Sequence, residues 1–179
     1  MLIIFIGPSG SGKSSIAQHL IYNYGAVKIV STTSRKPRVG EVDGIHYNFV
    51  SKEKFEEMIK NDEFVEFARY SENFYGTTKR EIEKKIKSTQ LVVNVMEIGG
   101  ALKIKKMFPE TKIIFCYSEI DNLMQRMYDR GDSFENIKKR VKFYFDEEEY
   151  NNSEKADFIL NNNGDLKNSF KLLEDYLQL

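Results

Sequence analysis

Gly7-Pro8-Ser9-Gly10-Ser11-Gly12-Lys13-Ser14 follows the apolar run Leu2-Ile3-Ile4-Phe5-Ile6 and precedes a helical stretch from Ser15 to Asn23. The pattern is G-x-x-x-x-G-K-[ST], a loop that cradles phosphate between a strand and a helix. Gly7, Gly10 and Gly12 leave no Cβ in the way as backbone N–H groups turn inward around phosphate oxygens. Ser9, Ser11 and Ser15 belong to the same polyphosphate-binding stretch, Lys13 reaches the β- and γ-phosphates, and the Ser14 hydroxyl takes one position on Mg²⁺. The positive N-terminal end of the following helix faces the phosphates. A glycine-rich turn can match such a pattern by chance, but the strand before it and the helix after it are the context that supports the match.

The chain has 179 residues, enough for one compact domain that buries its apolar surface without disulfides or a partner. Lys plus Arg equals Asp plus Glu at 27 each, so no net field draws the whole molecule to nucleic acid or to an anionic membrane. Any anion site must be local. The single cysteine, Cys116, lies in the apolar run Ile113-Ile114-Phe115-Cys116-Tyr117, where a buried core thiol suits a reducing compartment. The apolar N-terminus is short for a signal peptide and lacks its basic flank, and no run approaches the roughly 20 residues that span a bilayer. A cytoplasmic protein with no membrane partner is expected; the sequence sets no oligomeric state.

Short β-rich runs recur at Leu2–Ile6, Val27–Val30, Leu91–Val95, Lys112–Tyr117 and Phe158–Leu160, most of them joined by segments long enough for a helix. This predicts an α/β fold, a phosphate-loop parallel sheet flanked by helices. Residues 31–90 break the alternation and read as an inserted mixed α+β lobe. In it Ser51 caps a helix carrying Phe55, Met58 and Ile59, and Thr77 or Thr78 precedes a second helix. Residues 125–151 read as a helical lid broken at Arg130-Gly131-Asp132, where a hinged cover could expel water. The core is then 1–30, 91–124 and 152–179, and Leu166, Phe170, Leu173 and Leu177 mark a packing helix. His19 and His46 have no ligand partners at metal spacing, and Asp146 to Glu149 reads as a solvated helical face.

A second cluster of anion-binding chemistry runs from Ser31 to Val50: Ser31-Thr32-Thr33-Ser34-Arg35-Lys36-Pro37-Arg38-Val39-Gly40-Glu41, then Asp43-Gly44 and Tyr47-Asn48-Phe49. Arginine forks match phosphate oxygens, and two of them stand here three residues apart. This stretch resembles the guanylate kinase family, which carries a similar S-x-T-[TS]-R-x-P-R-x-G-E-x-[DN]-G-x-x-Y-x-F-V segment behind its phosphate loop. The resemblance continues through Asn61 to Glu66, Asn73 to Thr77, Arg126, Arg130-Gly131, Ile137 to Arg140 and Phe158 to Asn161, covering essentially the whole chain.

What the resemblance implies is Mg²⁺-dependent transfer of the γ-phosphoryl of ATP to GMP or dGMP. Ser31, Arg35, Arg38, Tyr47 and Tyr75 match residues that hold the GMP phosphate, and Glu66 and Thr77 match contacts to guanine. Arg126, Arg130 and Arg140 match arginines that close over the transferring phosphoryl, with Lys13 and Arg35 completing the catalytic set. Asn161 matches a position near adenine. Such a set agrees with the chemistry, since positioned cations around an in-line transfer supply most of the stabilisation.

One segment departs from the family, which usually shows D-[IVL]-D-x-x-G where this chain has Asn94-Val95-Met96-Glu97-Ile98-Gly99-Gly100. In the ungapped register Asn94 stands for the aspartate of the Mg²⁺ region and Met96 for the one that reads guanine. A one-residue bulge before Gly100 brings Glu97 to the guanine-reading position instead, and both registers are open. Two alternatives to GMP phosphorylation follow: a divergent kinase of another phosphorylated acceptor, and a phospho-ligand binding module without kinase activity. The intact Lys13 and Ser14 argue against the second.

Overall fold

A computed structural model describes every residue except Ser71 and Gln90. The expected end of the inserted segment at residue 90 therefore lies outside the described residues. Strands β1 (Leu2–Ile6), β2 (Val27–Lys28), β7 (Val92–Val95), β8 (Lys112–Tyr117) and β9 (Phe158–Asn161) form a parallel sheet in the order β2-β7-β1-β8-β9. All five residues of β1 are buried, as a central parallel strand covered on both faces requires.

Helix α1 (Lys13–Tyr24) and helix α7 (Leu166–Leu177) cover one face, packing Ile16, Leu20, Leu173 and Leu177 against Ile3, Phe5 and Val93. Helix α4 (Ile98–Met107) covers the other, with Ala101 and Ile104 against Ile4, Val92 and Ile113. Cys116 is fully buried in the first of these cores, and burial pushes its thiol up to about 12, which fits an inert core residue. His19 stacks on Phe170 at 3.8 Å between ring centres and meets the Glu174 carboxylate at 2.7 Å. This contact, between residues 155 apart in the chain, joins α1 to α7 in a packing role.

A second, mixed sheet has the order β4-β3-β6-β5, built from β3 (Thr32–Thr33), β4 (Asn48–Phe49), β5 (Phe64–Tyr70) and β6 (Asn73–Thr78). Helix α2 (Lys52–Lys60), capped by the Ser51 hydroxyl, seats Phe55 and Met58 on Phe64 in a small core of its own. The Thr78 side chain caps helix α3 (Lys79–Ser88).

Helix α5 (Ile120–Asp129) runs unbroken across the expected border at residue 124 and packs Leu123 and Met127 on Ile137 of helix α6 (Phe134–Asp146). The two helices part at Gly131, whose φ of +90° lies in the left-handed region open to glycine. Helix α6 stops at Asp146, short of the expected Asn151, because Glu148 turns left-handed (φ 47°) and the chain continues as a 3₁₀ segment, Glu149–Lys155. Among the described residues no helix is long and apolar enough to cross a membrane.

Candidate active site

The phosphate loop leaves β1 at Ile6 and enters α1 at Lys13, at the carboxyl end of the parallel strands where α/β sheets bind ligands. Its turns need glycine. Gly10 has φ +85°, and a Cβ there would stand 2.7 Å from the Leu123 carbonyl; Gly12, at φ +90°, would drive one into the amide of Asn162. The Lys13 ammonium folds into the loop and donates to the carbonyls of Gly7 (2.7 Å) and Pro8 (2.6 Å). Burial lowers the pKa of Lys13, while Cys116 and the carboxylates of Glu97 and Glu149 work in the opposite direction.

A cavity of about 550 Å³ opens on this loop, lined by Ser9, Gly10, Gly12, Lys13, Ser14 and Ser15 and closed by Arg126, Arg130, Asn162, Gly164 and Leu166. Arg126 donates to the Asn162 carbonyl at 2.6 Å and lies 3.5 Å from the Gly10 carbonyl. Arg130 is turned onto Asp132, at 2.5 Å. Arg140 reaches across from α6 to the Ser9 hydroxyl at 2.5 Å and lines a second cavity of about 310 Å³ with Gly7, Ser9, Lys13, Glu97 and Glu149.

In the smaller sheet, Arg35 lies 5.6 Å from the ring centre of Tyr47, which meets Tyr75 edge-on at 6.0 Å. The Arg35 fork is held by Glu41 through bonds of 2.9 and 2.8 Å, and the Arg38 backbone N–H donates to the same carboxylate at 2.7 Å. Those donors hold the Glu41 carboxyl down at about 2. The Arg38 side chain is exposed, and the Ser31 carbonyl accepts from the Asn48 N–H at 2.9 Å where β3 begins. On β5 and β6, the Thr77 hydroxyl donates to Glu66 Oε1 at 2.8 Å.

A family model described as guanylate kinase matches residues 1–179. The chain belongs to the guanylate kinase family. It is 43% identical over 150 residues to the guanylate kinase of Clostridioides difficile strain 630, covering 82% of this chain and 73% of that one. With the guanylate kinase of Carboxydothermus hydrogenoformans it shares 38% identity over 180 residues, covering 99% of this chain and 87% of the relative. The crystal structure of guanylate kinase from Anaplasma phagocytophilum superposes with a TM-score of 0.68 at 26% identity, over 99% of this chain and 84% of that one.

Several expectations for this guanylate kinase family member change with the geometry. Strands β1 and β7 pair in unbroken register from Leu2↔Val92 to Phe5↔Val95, and the Met96 N–H still bonds the Phe5 carbonyl, so these residues form no bulge. Val93 and Val95 pack in the core on the α1 side, and Val92 and Met96 in the core of the opposite face, where strand alternation also puts Asn94. Glu97, just beyond the strand, lines the cavity beside Lys13, and it is its neighbour that packs toward Glu66. Met96 is the residue there, since a Cβ on Gly100 would lie 3.1 Å from both Met96 Sδ and Glu66 Cγ. Asn94 is buried, and its amide oxygen takes the Val95 N–H.

Asn161 is exposed, and its side-chain oxygen accepts the Asn163 N–H. Its neighbour Asn162 is buried and lines the larger cavity, a one-residue offset that a run of three asparagines conceals from sequence reading. Glu149 leaves the expected solvated face: it is half-buried beside Lys13, and burial, then the Glu97 charge, raises its pKa. It follows directly on the left-handed turn at Glu148, which no sequence signal marks.

Proposed function

We propose that the chain transfers the γ-phosphoryl of ATP to GMP or dGMP, giving ADP and GDP or dGDP. Family membership over all 179 residues supports the reaction. The observation in this chain that supports it is the Glu66–Thr77 hydrogen bond, two residues along β6 from Tyr75, whose ring meets Tyr47 beside Arg35: an acceptor suited to a base edge next to a cation suited to a phosphate. Residues 31–90 act as the acceptor lobe and residues 125–151 as the lid. Such a reaction, with a single buried thiol, suits the cytoplasm.

The loop N–H groups and Lys13 hold the triphosphate, and Arg35, Arg38, Ser31, Tyr47 and Tyr75 hold the acceptor's phosphate in line with it. An oxygen of that phosphate forms the new P–O bond as the bond from the γ-phosphorus to the β-bridging oxygen breaks, and ADP leaves. The acceptor oxygen is already anionic, so no general base is required. Arg126, Arg130 and Arg140 spread positive charge over the equatorial oxygens as the lid excludes water. Asn162 closes the ATP side of the loop.

Mg²⁺ fits the oxygen donors present: the exposed Ser14 hydroxyl beside Lys13 would hold it, with the triphosphate as its other anchor. When bound it neutralises charge on the β- and γ-phosphates. The reaction is tested by incubating the chain with ATP, Mg²⁺ and GMP and separating the nucleotides. The reading predicts GDP and ADP in equal amounts; ADP without GDP, or neither, contradicts it.

A further inference from the structure

The Arg35 guanidinium is committed in an unusual way for a group that must meet a ligand phosphate. Nη1 donates to Glu41 Oε2 at 2.9 Å and to the Lys36 carbonyl at 2.7 Å, while Nη2 donates to Glu41 Oε1 at 2.8 Å. The familiar two-pronged grip on a phosphate is thus already taken by a carboxylate of the same loop. What remains, besides the approach of Tyr75 to the guanidinium, is the Nε edge. Nε is buried and has no hydrogen-bond partner, a state that proteins avoid unless a ligand or water completes it. The aromatic faces of Tyr47 and Phe49, at 5.6 and 5.8 Å, fix the plane of the guanidinium. The Glu41 carboxylate is itself pinned by the Arg38 N–H at 2.7 Å, so the pair is held from both sides.

We propose that Glu41 is a positioning residue for the acceptor's phosphate: it occupies the terminal nitrogens of Arg35 so that the buried, unpaired Nε–H edge faces the phosphate beside Tyr47 and Tyr75. This rests on the reading of Arg35 as part of the GMP site. The acceptor needs no displacement of Glu41, and it gains an oriented charge whose rotamer entropy is spent before binding. A carboxylate that merely competed with the phosphate for Arg35 would have the opposite consequence, since removing it would tighten GMP.

Calorimetric titration of GMP, guanosine and ATP into wild type, Glu41→Gln and Glu41→Asp separates these cases. Glu41→Gln weakens GMP about tenfold or more, the scale of a lost charged hydrogen bond. Guanosine, which has the same base and no phosphate, and ATP stay within about twofold of wild type. Glu41→Asp recovers part of the loss, and the KM for GMP rises more than kcat falls. Unchanged or tighter GMP binding in Glu41→Gln overturns the proposal, as does an equal loss for guanosine and ATP, which marks a merely structural role. Wild type that binds ATP but neither GMP nor guanosine overturns the GMP reading itself, and this inference with it.

Discussion

The side-chain amide of Asn162 donates to the Ser11 carbonyl at 2.9 Å, tying the end of β9 to the crest of the phosphate loop. The same residue accepts from the Ser169 hydroxyl at 2.8 Å and, through its backbone carbonyl, from Arg126 at 2.6 Å. One buried residue thus joins the loop, the sheet, α7 and Arg126 of α5.

Replacing Asn162 by Ala strands the Ser11 carbonyl in a buried place, while the Ser169 hydroxyl keeps the Asn161 carbonyl at 3.1 Å. That costs about 1–3 kcal/mol, or a Tm lower by about 2–10 °C for a chain of this size. ATP affinity falls with it. Asn161→Ala, on the exposed neighbour, stays within about 0.5 kcal/mol of wild type. Thermal unfolding of both variants, with and without ATP, checks the contrast.

Gly10→Ala places a Cβ 2.7 Å from the Leu123 carbonyl, on backbone at φ +85°. The left-handed strain alone is worth about 1–3 kcal/mol, and α5 must retreat from the loop as well. Both stability and ATP binding are therefore expected to fall, whereas Gly164→Ala, with open space around its Cβ, leaves stability nearly unchanged. Paired denaturant titrations and ATP titrations measure the difference.

Lys13→Met removes the ammonium from the phosphate loop and keeps the length of the stem. Loss of one such donor to developing charge costs about 10²- to 10³-fold in kcat. GMP affinity, set on the other sheet, is expected to hold. Initial rates and GMP titration on the same preparation check both statements.

Much of this was legible in the sequence because its determinants are local. The phosphate loop, the Ser51 cap and the spacing of Leu166, Phe170, Leu173 and Leu177 each depend on a few neighbouring residues, and the structure shows all three elements. What was not legible depends on how distant segments meet. The register of β7 against β1 decides that Glu97 faces Lys13 and Met96 faces Glu66, and no local pattern in Asn94 to Gly100 specifies it. Glu149 enters the site through one left-handed residue, Glu148, a conformation that a glutamate does not advertise. Glu41 was part of a recognised stretch, but only the folded loop shows it gripping Arg35.

The Arg35–Glu41 pair also sets a pH dependence. The Arg35 hydrogen bonds, then the Arg38 N–H, lower the Glu41 carboxyl from 4.5 to about 2. A depressed carboxyl stabilises the fold fully above its unfolded pKa, and the contribution is lost as pH falls through the folded value. Wild type should therefore exceed Glu41→Gln in stability at pH 6, and the gap should close between about pH 4.5 and 2. Denaturant midpoints taken across that range test the sign; a gap that widens toward acid contradicts it.

The most direct measurement is steady-state ADP formation from Mg²⁺-ATP with GMP, dGMP, IMP, AMP, CMP and UMP as single acceptors, beside a control without acceptor. The account predicts that GMP and dGMP give the highest kcat/KM and that the control stays at background. Acceptor-independent ADP formation, or a pyrimidine or adenine nucleotide as the best substrate, would contradict it.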